Sequence, residues 1–358
     1  MFAPTLTIDV GAVIANWSRL AARHAGETAA VLKADAYGLG AALIGPALAQ
    51  AGCRRFFVAT ADEGAALRSV LPTAWIAVLN GCPPGAERDF AGHSLIPALN
   101  SLADAIRWSD AAHKSDRRFP ALLHVDTGMN RLGVDSADLA RLVTEPERIG
   151  GASLQYVMSH LISAERPEAA ETEIQAKRFA AVAASFPGLR TSFANSAGLF
   201  LGPDFASDLA RPGIALYGGN PTPGSANPMR PVVHLAAPIV QVRAIEAGET
   251  VGYDASWQAM RPSRIATIAV GYADGMPRAL AGRLVAQHQG RGIRSVGRIS
   301  MDLLTFDVTD YPDILVGDAI ELIGPNHGID DIATEAGTIG YEILTSLGRR
   351  YRRVAKSV

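Results

Sequence analysis

Over roughly the first 230 residues, short apolar runs alternate with longer Ala-rich segments, and no other feature of the chain constrains the fold as much. The runs lie near Ala29–Lys33, Phe56–Ala59, Trp75–Leu79, Ser94–Pro97, Ala121–Val125, Leu154–Met158, Thr191–Ala194 and Pro212–Leu216. Each has the length of a buried strand. Val10–His24 has helical spacing, and Ala41–Ala51, Leu102–His113 and Glu168–Phe186 are long enough to be crossover helices. Parallel strands need such connections, so eight β/α units predict a (β/α)8 TIM barrel. Beyond the turn-rich stretch Gly218–Pro228 the pattern changes. Val232–Ile245, Arg264–Val270, Arg283–His288, Ile293–Val296, Leu303–Val308 and Ala319–Ile323 read as strands without long helices between them, and a single late helix is expected over Asp331–Leu347. The expected architecture is therefore α/β: a barrel domain over 1–229, then a mainly-β C-terminal domain over 230–358.

Charge narrows the functional classes. The chain has 33 Lys+Arg against 35 Asp+Glu, a net charge of −2, which argues against a nucleic-acid partner. Its dense basic run, Arg349, Arg350, Arg352 and Arg353, is expected to be a solvated tail. Cys53 and Cys82 form no CxxC and have no neighbouring His pair, so neither a disulfide framework nor a metal site is expected. The start of the chain lacks a basic-then-apolar leader, and no run of eighteen apolar residues occurs. The expectation is a soluble, cytoplasmic protein without a membrane partner.

A barrel builds its active site at the carboxyl ends of its strands. Lys33 ends the first strand. Asp126–Gly133, with Arg131, follows the fifth, Ser159-His160 the sixth and Asn195-Ser196 the seventh, while Arg211-Pro212-Gly213-Ile214 opens the eighth. Singly, each residue has an ordinary reading as a rim lysine, a satisfied core histidine, an ion-pair arginine or a turn former. Jointly they put a lysine amine, two guanidiniums and a small-residue anion cradle on one rim. That combination suits a phosphorylated carbonyl cofactor held by Lys33 as a Schiff base.

Val31-Leu32-Lys33-Ala34-Asp35-Ala36-Tyr37-Gly38-Leu39-Gly40 resembles the pyridoxal-phosphate lysine motif of the alanine racemase family. Six further blocks resemble family motifs in family order: Asp126–Gly133, Arg211–Gly218, Val251–Tyr253, Ala269–Gly275, Gly297–Asp302 and Thr338–Glu342. The resemblance implies pyridoxal 5'-phosphate as cofactor, a small amino acid as substrate and a head-to-tail homodimer with shared active sites. Lys33 corresponds to the cofactor-bearing lysine, which also exchanges the Cα proton of the D-enantiomer. Tyr253 corresponds to its opposite number for the L-enantiomer, supplied by the partner subunit. Tyr37, Ser196, Gly213, Ile214 and Tyr341 match phosphate-binding positions, with Asn195 beside that loop and His160 at the cofactor. Arg131 matches the arginine at the cofactor's phenolic oxygen and the substrate carboxylate. Met301 matches a backbone contact to substrate.

Arg211 matches the residue facing the pyridine nitrogen. A guanidinium does not give up its proton there, so the ring nitrogen stays unprotonated, the electron sink is weaker, and side reactions such as transamination are limited. Free Lys and Tyr titrate near 10.4 and 10, so both bases must be brought down. The Arg211 charge, a neutral His160 hydrogen-bonded toward the tyrosine, and burial of the lysine are expected to do this. His124 stands where many relatives have a carbamylated lysine that braces the following arginine, Ser300 stands in place of a Cys, and Leu39 replaces a His. Arg278, Arg298 and Ile339 match the lining of a narrow substrate entrance, with Glu165 aligned there too, which favours alanine. The implied role is D-alanine supply for peptidoglycan. Three alternatives compete. A basic amino-acid decarboxylase of the same architecture would place a carboxylate where Arg211 stands. A broader-range racemase acting on serine, lysine or arginine would share every motif. A non-catalytic single-barrel carrier would lack residues 232–358 and Tyr253.

Overall fold

The computed structural model describes residues 3–356, and by internal contacts the chain forms two compact units. One comprises Ile14–Leu216 and Asn220–Pro228; the other comprises the segment up to Val13, Tyr217–Gly219 and the chain from Met229 on. The strand Thr5–Asp9, placed with the barrel on sequence grounds, thus groups with the β-rich unit, where it pairs with Val233–Ile245 and Arg352–Lys356.

In the first unit the strands Ala30–Val31, Arg55–Val58, Trp75–Val78, Leu95–Leu99, Phe119–His124, Ala152–Met158 and Arg190–Ser192 form one parallel sheet in sequence order. Their central residues are buried, as a parallel sheet covered by helices requires. The covering helices start where capping side chains allow. Ser101 Oγ accepts the Asp104 amide at 3.0 Å ahead of Leu102–Lys114, and Asp135 Oδ1 accepts the Asp138 amide at 2.8 Å ahead of Ser136–Thr144.

The eighth strand lies earlier than expected. Leu209–Ala210 pairs in parallel with Glu27–Thr28; the Ala29 amide reaches Ala210 O at 2.9 Å, and the Arg211 amide reaches Ala194 O at 2.8 Å. These bonds on both sides close the ring. Of Pro212–Leu216, read as that strand, only the Pro212 carbonyl still joins the ladder, accepting the Val31 amide at 3.1 Å; the rest leaves the barrel, and Ile214–Tyr217 is a 3-10 turn. Pro212 has no N–H to give a ladder, and Ser196 Oγ takes the Gly213 and Ala215 amides. Arg211 therefore sits at the carboxyl end of strand eight, on the same rim as Lys33.

The β-rich unit is built on the strand Val233–Ile245. Its first half pairs with Thr5–Asp9 and Ala319–Ile323, its second with Ser263–Ile268, with register shifts at Leu235/Ala236 and Ile239/Gln241. The single late helix is two helices, Ile329–Ala336 and Gly340–Ser346, because Gly337 caps the first in a left-handed conformation (φ 72°). The basic run is also not a free tail. Arg350 holds both carboxylate oxygens of buried Asp274 at 2.7 Å and Asp302 at 2.7 Å, and Arg352–Lys356 forms a parallel edge strand on Thr5–Asp9. Among the described residues no helix is long and apolar enough to cross a membrane.

Gly275 follows the turn Tyr272–Asp274 at φ 98°, and a Cβ there would lie 2.0 Å from the Ser346 carbonyl oxygen. Gly275→Ala is expected to destabilise the protein by about 2 kcal/mol or more in chemical denaturation. An unchanged midpoint would contradict this packing.

Candidate active site

Lys33 stands just past the last ladder bond of the first barrel strand, where the Leu32 amide donates to Phe57 O at 2.7 Å. The chain then does something rare for residues with side chains: Ala34, Asp35, Ala36 and Tyr37 have φ of 54°, 53°, 55° and 57°. One left-handed helical turn forms, closed by Ala36 N–H to Leu32 O at 2.8 Å and Gly38 N–H to Ala34 O at 2.7 Å. Each such residue costs about 1 kcal/mol or more, so the turn is held from outside. Its product is local: Lys33 is half-buried at the mouth while Tyr37 is buried against Gly213. Burial, and then the Arg131 charge, pull the Lys33 pKa below its ordinary value, against the opposing pull of Glu63.

Gly213 can be nothing larger, since a Cβ there would meet the Tyr37 phenol oxygen at 2.2 Å. Beside it, buried Ser196 accepts the Gly213 amide at 2.9 Å and the Ala215 amide at 3.3 Å, so its own hydroxyl proton remains to be donated. Ile214 begins the 3-10 turn, and its amide therefore has no partner within that turn. Asn195 Oδ1 accepts the Gly198 amide at 2.9 Å, capping the next turn, Gly198–Phe200. Tyr37, Ser196, Gly213 and Ile214 together make a small cradle of hydroxyls and amides suited to an anion.

Arg211 is 5% exposed and faces no carboxylate. Nη1 donates to Ser192 Oγ and Nη2 to Ser159 O, both at 2.6 Å, while Nε has no acceptor among the described residues. Burial pulls its pKa down to about 10, which still leaves it charged at neutral pH. The two histidines nearby respond. Burial and the Arg211 charge lower His160 to about 3 and His124 to about 4, so both are neutral. His124 Nδ1 meets Asn100 Oδ1 at 2.7 Å, and the Asn100 amide nitrogen donates to Leu79 O at 3.0 Å, so the His124 proton is on Nδ1.

Arg131 is exposed and makes no hydrogen bond or ion pair with other residues described. Its loop is braced instead of its guanidinium. Gly133 N–H donates to Asn100 O at 3.2 Å, Val134 N–H to His124 O at 2.8 Å, and the Asp126 carboxylate gathers the amides of Gly128, Met129 and Asn130 at 2.8–2.9 Å. Ser192 and Asn100, which hold Arg211 and His124, were not singled out in the sequence: each is a lone small polar residue at a strand end and looks like a turn former. Cys53 and Cys82 are buried, and burial pushes both thiols up to about 12.

In the β-rich unit Tyr253 lies at the tip of the hairpin Thr250–Val251/Trp257–Gln258. Asp254, at φ 57°, ion-pairs with Arg298. A Cβ on Gly252 would lie 3.0 Å from the Arg298 amide, so this tip packs against the loop that leads to Met301. Tyr253 (69% exposed) and Met301 (53% exposed) are both open to solvent, and Tyr253, Arg298 and Ser300 line a cleft of about 480 Å³. Ile339 precedes the helix Gly340–Ser346, on which Tyr341 lies, and Arg278 stacks over Tyr272 at 5.9 Å. Glu165 lies in the barrel unit, partly exposed.

Two family models match the chain: the alanine racemase N-terminal domain over residues 8–221 and the C-terminal domain over 232–355. The chain belongs to the alanine racemase family. The alanine racemase of Acidiphilium cryptum is 66% identical over 355 residues, covering 99% of both chains. Among solved structures, alanine racemase from Bartonella henselae with covalently bound pyridoxal phosphate superposes with a TM-score of 0.96 at 44% identity, covering 99% of each chain. Biosynthetic alanine racemase from Pseudomonas aeruginosa gives 0.93 at 32% identity over 99% of this chain and 100% of that one. Around Arg211 two imidazoles are held neutral. A histidine whose folded pKa is depressed stabilises the fold fully above about 6.5, and that stability is lost as pH falls toward the folded values near 4 and 3. In denaturant titrations the wild type is expected to lose more stability between pH 7 and pH 5 than a His124→Gln/His160→Gln double variant. Equal losses would contradict the neutral assignment.

Proposed function

We propose that the chain is a pyridoxal 5'-phosphate-dependent alanine racemase that interconverts L- and D-alanine by a two-base mechanism. One observation carries most of the weight: a buried guanidinium without a carboxylate, whose free Nε waits for a neutral acceptor, on the same rim as a lysine of lowered pKa. The residues present fit the cofactor. The Tyr37–Ser196–Gly213–Ile214 cradle suits its phosphate, Lys33 its aldehyde and Arg211 its ring nitrogen, and Tyr341 of the second unit is assigned to the phosphate from the resemblance. When bound, the cofactor supplies an electron sink that acidifies the Cα–H of the amino acid.

The chain's own groups then divide the work. Arg211 would face the ring nitrogen of the bound cofactor and would keep it unprotonated, because a neighbouring cation disfavours a second positive charge. The moderated sink suits an enzyme that returns its amino acid intact. Burial and the Arg131 charge lower the Lys33 pKa, which favours the neutral amine that takes the proton on the D face. Arg131, which has no partner among the described residues, is placed to hold the substrate carboxylate. Neutral His124 and His160 add no competing charge at the mouth. Tyr253 is the second base, acting on the L face, with the Met301 backbone contacting substrate. Both are exposed, as expected if a second copy of the chain completes each site, so the active form is a homodimer. Arg278, Arg298 and Ile339 narrow the entrance toward small side chains. The product fits D-alanine supply for peptidoglycan in the cytoplasm.

Purified protein with added pyridoxal phosphate is expected to convert L-alanine to D-alanine and to leave L-serine, L-lysine and L-arginine largely unconverted. Turnover of the larger amino acids would favour a broad-range racemase instead. Lys33→Ala and Tyr253→Ala should each be inactive alone. Mixed and re-equilibrated, they should regain about a quarter of wild-type specific activity, since half the dimers then hold one intact site. No recovery would rule out sites shared between chains.

A further inference from the structure

The left-handed turn after Lys33 is held by a side chain that none of the sequence motifs includes. Glu63 lies in the first turn of the helix Ala61–Val70 and forms a capping box. Thr60 Oγ1 accepts the Glu63 amide at 3.3 Å, and Glu63 Oε2 accepts the amides of Ala59 at 2.7 Å and Thr60 at 3.4 Å. Its other oxygen leaves the helix altogether. Oε1 accepts the Ala34 amide at 2.8 Å, and that amide donates to no backbone carbonyl. Ala34 follows Lys33 and is the first of the four residues at positive φ. One carboxylate thus bridges the ends of two adjacent barrel strands, Ala30–Val31 and Arg55–Val58.

We propose that Glu63 is a positioning residue for Lys33: by accepting the Ala34 amide with one oxygen and the Ala59 amide with the other, it fixes the strained turn and so the direction in which the lysine amine enters the site. The role rests on the reading of Lys33 as the proton-transferring lysine. The geometry demands a carboxylate of this length. An amide side chain has one acceptor oxygen, and its NH2 would face the second N–H donor to donor. Aspartate, one methylene shorter, reaches only one of the two amides. Glu63 is also the anion that favours the charged form of Lys33, opposing burial and Arg131. Clamp and counter-charge are therefore the same group.

The test uses the full chain with three substitutions. Glu63→Gln removes the charge and one acceptor, Glu63→Asp keeps the charge but shortens the reach, and Thr60→Ala breaks the helix cap without touching Ala34. Two quantities are read: kcat and KM for both alanine enantiomers, and, in cofactor-free protein, the pH midpoint for acylation of Lys33 followed by peptide mass mapping. Glu63→Gln is expected to lower kcat about 10- to 100-fold in both directions with KM within about twofold, and to move the Lys33 midpoint to lower pH. Glu63→Asp should lower kcat with the midpoint nearly in place, and it decides the question if Glu63→Gln misfolds. Thr60→Ala should leave kcat within about twofold. Wild-type kcat in both Glu63 variants would overturn the proposal. So would an equal kcat loss in Thr60→Ala, which would assign the effect to the helix cap. If the unsubstituted protein fails to racemise alanine, the functional reading falls and this proposal with it, whereas racemisation by that protein beside wild-type kcat in both Glu63 variants overturns the clamp alone.

Discussion

The barrel's working end is organised around one buried positive charge without a negative one. Taking a guanidinium out of water costs several kcal/mol unless its donors are satisfied. Arg211 meets only neutral acceptors, the Ser192 hydroxyl and the Ser159 carbonyl. Those acceptors are themselves tied in: Ser159 Oγ shares a hydrogen bond with Thr127 Oγ1 at 2.7 Å, and Gln175 donates to Thr127 Oγ1 at 3.1 Å and to His160 O at 2.9 Å. Burial first, and then the same charge, keep His124 and His160 neutral, and that charge fits the mouth for a ligand that brings a phosphate, a carboxylate and a basic but uncharged nitrogen. A carboxylate at Arg211 would be the more stabilising choice for the empty protein. Its absence is what reserves Nε for a ligand.

Strain is the second constraint. The four left-handed residues after Lys33 are tolerated only because bonds to residues outside the turn hold it: Glu63 accepts the Ala34 amide, and Asp35 Oδ1 accepts the Ala41 amide at 2.7 Å. Tyr37 then lands where Gly213 leaves room, and the anion cradle and the lysine share one rigid support. In the β-rich unit the Tyr253 tip is fixed in a comparable way, by left-handed residues at its turn and the Asp254–Arg298 ion pair.

Much of this was legible in the sequence, for physical reasons. Buried parallel strands leave continuous apolar runs, and a lysine or arginine at the end of such a run has few places to go except the rim. The positions of Lys33, Arg131, His160 and Ser196 beyond strand ends could therefore be read from the sequence. Strand eight was misplaced because Pro212–Leu216 is as apolar as a strand, whereas the real one, Leu209–Ala210, is too short to show a pattern. The carboxy-terminal strand was invisible because its partner, Thr5–Asp9, lies almost the whole chain away and its own residues are exposed. Glu63 was hidden by its first job: Thr60-Ala61-Asp62-Glu63 reads as a helix start, and the letters carry no sign of the second oxygen's errand to Ala34.

The most direct measurement is the protonation state of the cofactor's ring nitrogen, read by NMR from protein reconstituted with pyridoxal phosphate labelled with 15N in the ring. With Arg211 as its partner the nitrogen should resonate as an unprotonated pyridine near neutral pH, and Arg211→Glu should move it to the protonated position. A protonated nitrogen in the unsubstituted protein would contradict the role assigned to the buried guanidinium.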